Sequence, residues 1–551
     1  MKIFFAISLL LGLVAVGGES FFRADDRWLL TGDSITQTDT YRQVVERVMR
    51  HYHPDNGLTF PNRSVWGVPS AHQADAEDKP TVVSIMTGMN DIIHHEYAHE
   101  TDFTAKAEAY YRNILSQVRR FKALGAEVIL FTPTLTDERV SSFFSPMYTR
   151  KGLVLFGEVI RRIGREEGCL VLPIAEDLEA YDATLGPNEL ARTDGVHPFG
   201  FAQYRIAYSI IDYLNVRGTL TGRRALSASP ERVPVSVKRV NKFLHEAGEK
   251  VALEFSSFEA ITFKVRWSLA AERGSETVTL QPGEKLIWRL PATPKAYDLV
   301  LGARAQAVVD LTAGERSSLY IIDLARTKVA KPINGEVAFD IVCHDAQSPA
   351  TKMFKHSLMQ FKGERTEGDY VGNVRIREHN NSELWLNGRV YDSVINSEAF
   401  WITGRDTVRM MFDFRPLERF GGLTPDRDTT MILMSPRLEP DFSMMGLAWW
   451  GPRFQYCIYS NGEKTEDGYT WKLGFAGNIT DYAKFDISKL DYYGFHVSII
   501  DCDGKAGTKL HSAMLSHFDI NVEKALNQLI IIDRKSTFPH SETSTIQLFG
   551  Y

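Results

Sequence analysis

The chain has 551 residues, which are too many for a single hydrophobic core, and about three domains are expected. Hydrophobic residues make up 44% of the chain and charged residues 24%, a composition typical of ordinary globular proteins rather than fibrous or disordered ones. The formal net charge of −6 is spread along the chain, with no basic block and no acidic tail, so we expect no nucleic-acid partner.

The amino terminus has the pattern of a secretory signal peptide. Met1 and Lys2 are followed by an apolar run of about fourteen residues and then by the small residues Gly17 and Gly18. We predict a signal peptide over residues 1–18, and hence a secreted or periplasmic protein with no membrane association after cleavage. The alternative is a membrane anchor, for which the run is short, since a bilayer span needs ~20 residues.

Four cysteines are few for an exported protein of this length, so disulfide bonds are not expected to make the fold stable. Cys169 lies in an apolar run and is predicted to be a buried thiol. Pairing among Cys343, Cys457 and Cys502 stays open, because connectivity cannot be deduced from sequence alone.

Residues 22–218 alternate between helix and strand patterns. Helices are recognised by apolar residues spaced three and four apart, and two of them end at a glycine directly before a short apolar strand. The predicted elements are a helix over 41–52, a strand over 81–86, a helix over 106–125, a strand over 127–131, a helix over 153–168, a strand over 169–173 and a helix over 201–215. This order predicts an α/β domain with three layers, α/β/α, around a parallel sheet, with its functional site at the carboxyl ends of the strands.

The rest of the chain is β-rich. The proline-containing residues 227–236 are interpreted as a linker. Short strand patterns with turn residues between them then predict a small, Ig-like β-sandwich over residues 237–318 and a larger β-sandwich over residues 319–551. We find no internal repeat.

Three short motifs of the α/β region contain residues suited to catalysis. Gly-Asp-Ser ends at Ser34, TGMND (87–91) includes Asn90, and TDGVHP (193–198) includes Asp194 and His197. A carboxylate bonded to one imidazole nitrogen leaves the other nitrogen able to take a serine proton, and an amide can donate to a developing oxyanion. Ser34, Asp194 and His197 are therefore candidate catalytic residues.

In order and spacing, these motifs resemble those of the SGNH (GDSL-like) hydrolase and esterase family. The resemblance implies that Ser34 is the nucleophile, that Asp194 and His197 complete a triad, and that Asn90 and the Ser34 backbone N–H belong to an oxyanion hole. The family's remaining motif corresponds to NRSVWG (62–67), which implies Gly67 as a further oxyanion donor. Ser64 stands where the family commonly has glycine.

Each residue has a structural alternative. Ser34 alone could cap the helix that follows it, His197 alone could be a surface histidine, and Asp91 could serve only to shape a turn. The histidines of HHEYAH (94–99) lack a carboxylate cluster at a known metal spacing, so we predict no metal site and no cofactor.

Several C-terminal runs resemble the β-sandwich modules related to family-nine carbohydrate-binding modules. Because flat aromatic rings stack on sugars, Trp401, Trp449, Trp450 and Trp471 are candidate substrate-binding residues. The alternative is that they belong to the core, and consecutive Trp449 and Trp450 would point to opposite faces of a strand. Residues 501–504 are interpreted as a tight turn rather than a calcium loop.

These observations predict a secreted serine ester hydrolase that removes acyl groups, most simply acetyl, from an acylated polysaccharide or oligosaccharide. One alternative is a lipid or aryl esterase of the same family. The other, from a different functional class, is a polysaccharide-binding protein with a vestigial hydrolase domain.

Overall fold

The computed structural model describes discontinuous stretches of the chain. They are residues 18–65, 67–74, 79–92, 102–137, 150–185, 191–192, 195–198, 201–220, 230–240, 250–299, 305–324, 329–330, 336–343, 371–379, 383–391, 407–414, 429–437, 443–450, 457–476, 490–501, 511–514, 530–535 and 546–547. The predicted signal peptide, apart from Gly18, lies outside these residues. Within them, no helix is both long enough and apolar enough to cross a membrane.

The amino-terminal region is built on a parallel sheet, as the sequence predicts. Its strands are β1 (Trp28–Gly32), β2 (Val82–Met86), β3 (Glu127–Phe131) and β4 (Leu170–Leu172). Its helices are α1 (Ser34–Gln37), α2 (Thr40–Tyr52), α3 (Thr104–Ala123), α4 (Arg150–Glu167), α5 (Ile174–Asp182) and α6 (Phe201–Tyr213), with a short 3-10 helix at Met89–Ile92. Gly125 and Gly168 follow α3 and α4 in the left-handed conformation, which confirms their predicted role in ending the helices.

The order of the strands indicates where in the sheet a functional site is expected. Among the described residues the strands run β1-β2-β3-β4, all parallel, and single bridges from Arg27 to Thr59 and from Leu30 to Asn62 add residues 59–62 beyond β1. The chain therefore goes from β1 to one side first and to the other side afterwards. In open α/β sheets, ligands bind where the connections diverge in this way, beyond the carboxyl end of the strand. Here that point is the end of β1.

The next region contains two four-stranded antiparallel sheets, counted over the described residues. Its strands are β5 (Ser236–Arg239), β6 (Ala252–Ser256), β7 (Ile261–Leu269), β8 (Glu272–Leu280), β9 (Lys285–Arg289), β10 (Ala305–Ala313) and β11 (Arg316–Leu324), and α7 spans Pro294–Leu299. One sheet has the order β11-β10-β7-β8, and the other adds a late strand, β24 (Ile546–Gln547), in the order β24-β5-β6-β9. We call this region the two-sheet unit.

The predicted boundary between residues 318 and 319 is wrong. Strand β11 crosses it and pairs with β10 along its whole length, from Arg316 opposite Ala313 to Leu324 opposite Ala305. Strand β24, from the other end of the predicted C-terminal domain, pairs with β5. The two-sheet unit therefore extends to residue 324 and also includes residues 546–547.

The two-sheet unit shares a hydrophobic core with the α/β region. Val308, Leu319 and Ile321 are buried in the same cluster as the helices and strands of residues 21–216. Polar contacts cross the same boundary, since His51 Nδ1 lies 2.8 Å from Ser268 Oγ. The core of residues 22–218 is thus extended by β10 and β11, which cover part of its apolar surface.

The remaining residues are rich in antiparallel strands. These strands are β12 (Val329–Ala330), β13 (Glu336–Cys343), β14 (Val371–His379), β15 (Glu383–Tyr391), β16 (Thr407–Asp413), β17 (Thr429–Arg437), β18 (Ser443–Trp450), β19 (Cys457–Thr465), β20 (Gly468–Ala476), β21 (Tyr492–Asp501), β22 (His511–Met514) and β23 (Ile530–Asp533). Most lie along one path, β18-β17-β16-β21-β22-β13-β14-β15-β20-β19. A separate hydrophobic core, which includes Leu386, Phe412 and Trp471, joins strands from both halves of this path.

Cys169 is a free thiol, and its side chain is half-buried rather than fully buried as predicted. It precedes β4 directly after the turn that ends α4. Burial raises the pKa of this thiol above its ordinary value, which favours the neutral form.

Candidate functional site

Ser34 stands at the junction between β1 and α1, where the chain leaves the sheet. The Asp33 side chain caps α1 by accepting the Ile35 N–H at 3.0 Å. Position 32 requires glycine because neighbouring atoms lie too close for a side chain. A Cβ there would lie 2.3 Å from the Met86 carbonyl oxygen and 2.4 Å from Thr36 Oγ1. The Gly-Asp-Ser motif therefore packs a sharp turn against β2 and begins a helix at Ser34.

Ser34 and His197 meet, although 163 positions separate them in the chain. Ser34 Oγ lies 2.8 Å from His197 Nε2, and both side chains are more than nine-tenths buried. When the neutral ring carries its proton on Nδ1, Nε2 can accept the Ser34 hydroxyl proton. This is the geometry in which an imidazole can activate a serine hydroxyl.

The segment before His197 is held by backbone and side-chain contacts. Arg192 is buried, and its guanidinium donates to Asp182 and, at 3.0 Å, to Glu179. The Gly195 N–H donates to the Arg192 carbonyl at 3.0 Å, and the Gly195 carbonyl accepts the Asp137 N–H at 2.8 Å. These contacts fix the approach of His197 to Ser34. Asp194, the predicted third member of the triad, lies outside the described residues.

Asn90 and Gly67 belong to two loops that touch each other. Asn90 lies in the 3-10 helix that follows β2, and its Nδ2 donates to the Val68 carbonyl at 3.1 Å. Gly67, next to Val68, has a φ of +68° and is exposed. That conformation favours glycine over residues with a side chain. The two predicted oxyanion donors are thus carried by adjoining segments.

Two carboxyl groups beside the site have perturbed pKa values. Burial raises the pKa of Asp33 to about 6, against the lowering effects of the Ile35 N–H and of positive charge on His197. Burial also raises the pKa of Asp91, although hydrogen bonds from the Ser70 side chain and backbone act in the opposite direction. Raised carboxyl pKa values beside a serine–histidine pair are more typical of a functional site than of the protein surface.

One of the four candidate sugar-stacking tryptophans, Trp471, has a side chain that the structure describes. Trp471 is 1% exposed and packs in the C-terminal core, on the same strand face as Tyr469 and Leu473. It cannot stack on a sugar, so that prediction is wrong. Trp401 lies outside the described residues.

Trp449 and Trp450 lie in β18, where the pairing is irregular. The register shifts from Ile432 opposite Ala448 to Met431 opposite Trp450. The side chains of Trp449 and Trp450 lie outside what the structure describes, so their facing opposite ways stays a prediction.

Three features of the site were missed by the sequence analysis. The sequence analysis assigned Asp33 no role, although an aspartate directly before a helix is a typical N-cap. The pairing of Asp91 with Ser70 and the burial of Arg192 against Asp182 have no local sequence signal, because the paired residues lie 21 and 10 positions apart.

Among the residues that the structure describes, no group of three His, Cys, Asp or Glu side chains is placed to hold a metal ion.

Comparison with known proteins supports the motif analysis. Residues 30–199 match the model of the GDSL-like Lipase/Acylhydrolase family. Among curated proteins, none matches the chain.

Solved structures with similarity to the chain align with its amino-terminal part. An α/β hydrolase enzyme, LAE5, from the metagenome of Lake Arreo in Spain is 20% identical, with 37% of this chain and 100% of that chain covered and a TM-score of 0.30. A catalytic mutant of Axe2, an acetylxylan esterase from Geobacillus stearothermophilus, is 21% identical, with 38% and 99% covered and a TM-score of 0.30. A lipase/acylhydrolase from Enterococcus faecalis is 17% identical, with 36% and 100% covered and a TM-score of 0.28.

At these identities and TM-scores the structural likeness establishes neither activity nor substrate. The match to the family model does not depend on the solved structures. It covers the region that contains the Ser34–His197 contact and the segment with Asn90. Residues 30–199 are therefore a GDSL-like lipase/acylhydrolase domain.

Proposed function

We propose that the protein is a serine ester hydrolase in which Ser34 is the nucleophile. The observation that carries this proposal is the 2.8 Å contact between Ser34 Oγ and His197 Nε2 inside a GDSL-like domain. A free hydroxyl is a poor nucleophile, and an imidazole within hydrogen-bond distance removes that limitation by taking its proton.

The proposed reaction has two halves. Ser34 Oγ attacks the ester carbonyl carbon while His197 Nε2 takes the hydroxyl proton, and His197 then protonates the leaving alcohol as the acyl-enzyme forms. A water molecule, deprotonated by His197, attacks the acyl-enzyme, and the carboxylic acid leaves as Ser34 regains its proton. Asp194 is proposed to orient His197 through Nδ1.

The oxyanion is proposed to be held by three donors. They are the backbone N–H groups of Ser34 and Gly67 and the side-chain amide of Asn90. The contact of Asn90 with the carbonyl next to Gly67 supports this assignment, because it keeps the two predicted donors on adjoining segments.

The substrate is proposed to be an acetylated polysaccharide or oligosaccharide outside the cell. This part of the proposal rests on the predicted signal peptide and on the resemblance of the C-terminal runs to family-nine carbohydrate-binding modules. It does not rest on Trp471, which is buried. Lipid and aryl esters are the alternatives within the same reaction class.

Ser34→Ala in the full chain tests the nucleophile. We expect turnover of p-nitrophenyl acetate to be abolished, together with labelling by a fluorophosphonate. Ser209→Ala is a matched control, because Ser209 is also a buried serine but lies in α6, where its Oγ has no partner among the described residues. Full activity of Ser34→Ala would refute the assignment.

The substrate class needs a separate measurement. Acetate release from a panel of acetylated glycans is expected to exceed acid release from triglyceride and phospholipid vesicles. Binding of the inactive Ser34→Ala protein to insoluble polysaccharides, with no hydrolysis of any ester by the wild type, would favour the vestigial alternative. Truncation at residue 319 would cut through β11, so the full chain should be used.

A further inference from the structure

The proposed oxyanion donors lie on three separate segments of the chain. We call them the serine segment (residues 32–39), the glycine segment (residues 62–65 and 67–70) and the asparagine segment (Met89–Ile92). Polar side chains that take no part in the reaction described above join the glycine segment to each of the other two segments.

Asp33 supports the serine segment from within. Its carboxylate accepts the Ile35 N–H at 3.0 Å. The side chain is 2% exposed, so water cannot readily replace this bond. The carboxylate therefore holds the turn that carries Ser34 at the start of α1.

Asn62 joins the glycine segment to the serine segment. Its amide Nδ2 donates to the Thr36 carbonyl at 3.0 Å and to Asp39 Oδ1 at 2.8 Å. Its Oδ1 accepts the Ser64 N–H at 3.0 Å, within its own segment. The start of the glycine segment is thereby held against α1, the helix that begins at Ser34.

Asp91 joins the asparagine segment to the glycine segment. Its two carboxylate oxygens accept the Ser70 N–H at 2.9 and 3.1 Å, and Oδ1 also accepts the Ser70 hydroxyl. Helix α3 supports the same serine, since Asn113 Nδ2 donates to Ser70 Oγ at 3.0 Å and Gln117 Nε2 donates to the Ser70 carbonyl at 2.7 Å.

The Asn62 and Asp91 connections link the three segments in series, so neither outer segment can shift relative to the glycine segment without breaking a part-buried hydrogen bond. We propose that Asn62 and Asp91 are positioning residues that fix the spacing of the three oxyanion donors, with Asp33 holding the turn that carries Ser34. Oxyanion stabilisation requires donors that are already in place when charge develops, and misplacement by about 1 Å can cost ~10²-fold in rate. This inference rests on the proposed function, because the donors matter only if an oxyanion forms.

Asp91 gives the sharpest test, because its partner Ser70 can be altered separately. Asp91→Asn, Ser70→Ala and the double variant should each lower kcat for p-nitrophenyl acetate roughly 10- to 100-fold, with KM within threefold of the wild type. The double variant should be no worse than the poorer single variant, because Asp91 acts through Ser70. Rates are divided by the concentration of fluorophosphonate-reactive sites, so unfolded protein does not count.

A second measurement separates positioning from general support of the fold. Phenylboronic acid forms a tetrahedral adduct with an activated serine and places an oxygen where the oxyanion would form. Its inhibition constant should rise in each variant by about the same factor as kcat falls. Asp102→Asn is the control, because Asp102 is an exposed aspartate that bonds the Thr104 N–H at the start of α3, and its kcat should stay within twofold.

The outcomes distinguish the two proposals. An active wild type whose kcat is unchanged in both Asp91→Asn and Ser70→Ala would overturn the positioning role and leave the esterase assignment standing. A fall in kcat with an unchanged inhibition constant for phenylboronic acid would also overturn it. A wild type with no Ser34-dependent esterase activity would defeat the proposed function, and the positioning role with it.

Discussion

Asp33 makes a testable contribution to the pH dependence of stability. Burial raises the pKa of its carboxyl from 3.8 to about 6 in the folded protein. Below pH 3.8 the carboxyl is protonated in both states and costs nothing. Above about pH 6 it is ionised in both, and the folded state then carries a penalty of about 3 kcal/mol, at ~1.4 kcal/mol for each pH unit between the two pKa values.

Asp33→Asn removes this penalty because an amide does not ionise. The variant should therefore gain stability relative to the wild type as pH rises, by about 2 kcal/mol between pH 4 and pH 7. Any change in the hydrogen bond to the Ile35 N–H is a cost that does not change with pH and cancels when the two pH values are compared. The same variant should lose activity, so this carboxylate lowers stability at neutral pH while it supports the site.

The assay is urea unfolding of both proteins from pH 4 to pH 7. The transition to follow is the one that abolishes fluorophosphonate labelling of Ser34, since that signal reports on the surroundings of Asp33. Asp102→Asn serves as the control, because the pKa of this exposed carboxyl is lowered by Thr104, so its removal should not favour the variant at higher pH. A stability difference that stays constant from pH 4 to pH 7 would refute the reasoning.

Other changes probe the interface and the turn. Burial, with Arg266 and Arg273 nearby, lowers the pKa of His51 to about 3. The stability that its neutral ring contributes is therefore fully present above pH 6.5, and the free energy of unfolding falls by about 2 kcal/mol at pH 5. Urea unfolding of His51→Gln should lack that fall. Gly32→Ala should lower kcat/KM for p-nitrophenyl acetate roughly 10²-fold by displacing the turn, and a loss below threefold would contradict the close approach. Val308→Asp should destabilise the shared core by about 4 kcal/mol or more, measured by thermal unfolding.

The elements with strong local signals were predicted well. Helices α2, α3 and α4 match their predicted ranges within a few residues, because apolar spacing and terminal glycines report directly on helix face and helix end. Helix α1 was missed because its four residues are too few to show a period. The contact between Ser34 and His197 was predicted through the family resemblance, and the parallel sheet explains how distant residues meet at one edge.

The long-range features could not be predicted. The alternation of apolar residues in β10 and β11 indicates a buried face but not which part of the protein buries it, so the shared core with residues 21–216 was missed. The same limit applies to Trp471, since a tryptophan on a strand can face either a core or a ligand. The link from Asp91 to Ser70 depends on two loops meeting in space, and neither loop has a pattern that specifies the other.

The pairing of β24 with β5 has a consequence for biosynthesis. Strand β5 ends at Arg239, whereas the strand that covers its outer edge begins at Ile546. At a translation rate of about 5–20 residues per second, that edge stays uncovered for roughly 15 to 60 s on the ribosome. An open strand edge invites pairing with other nascent chains, so chaperone binding in this interval would favour a soluble product over aggregates.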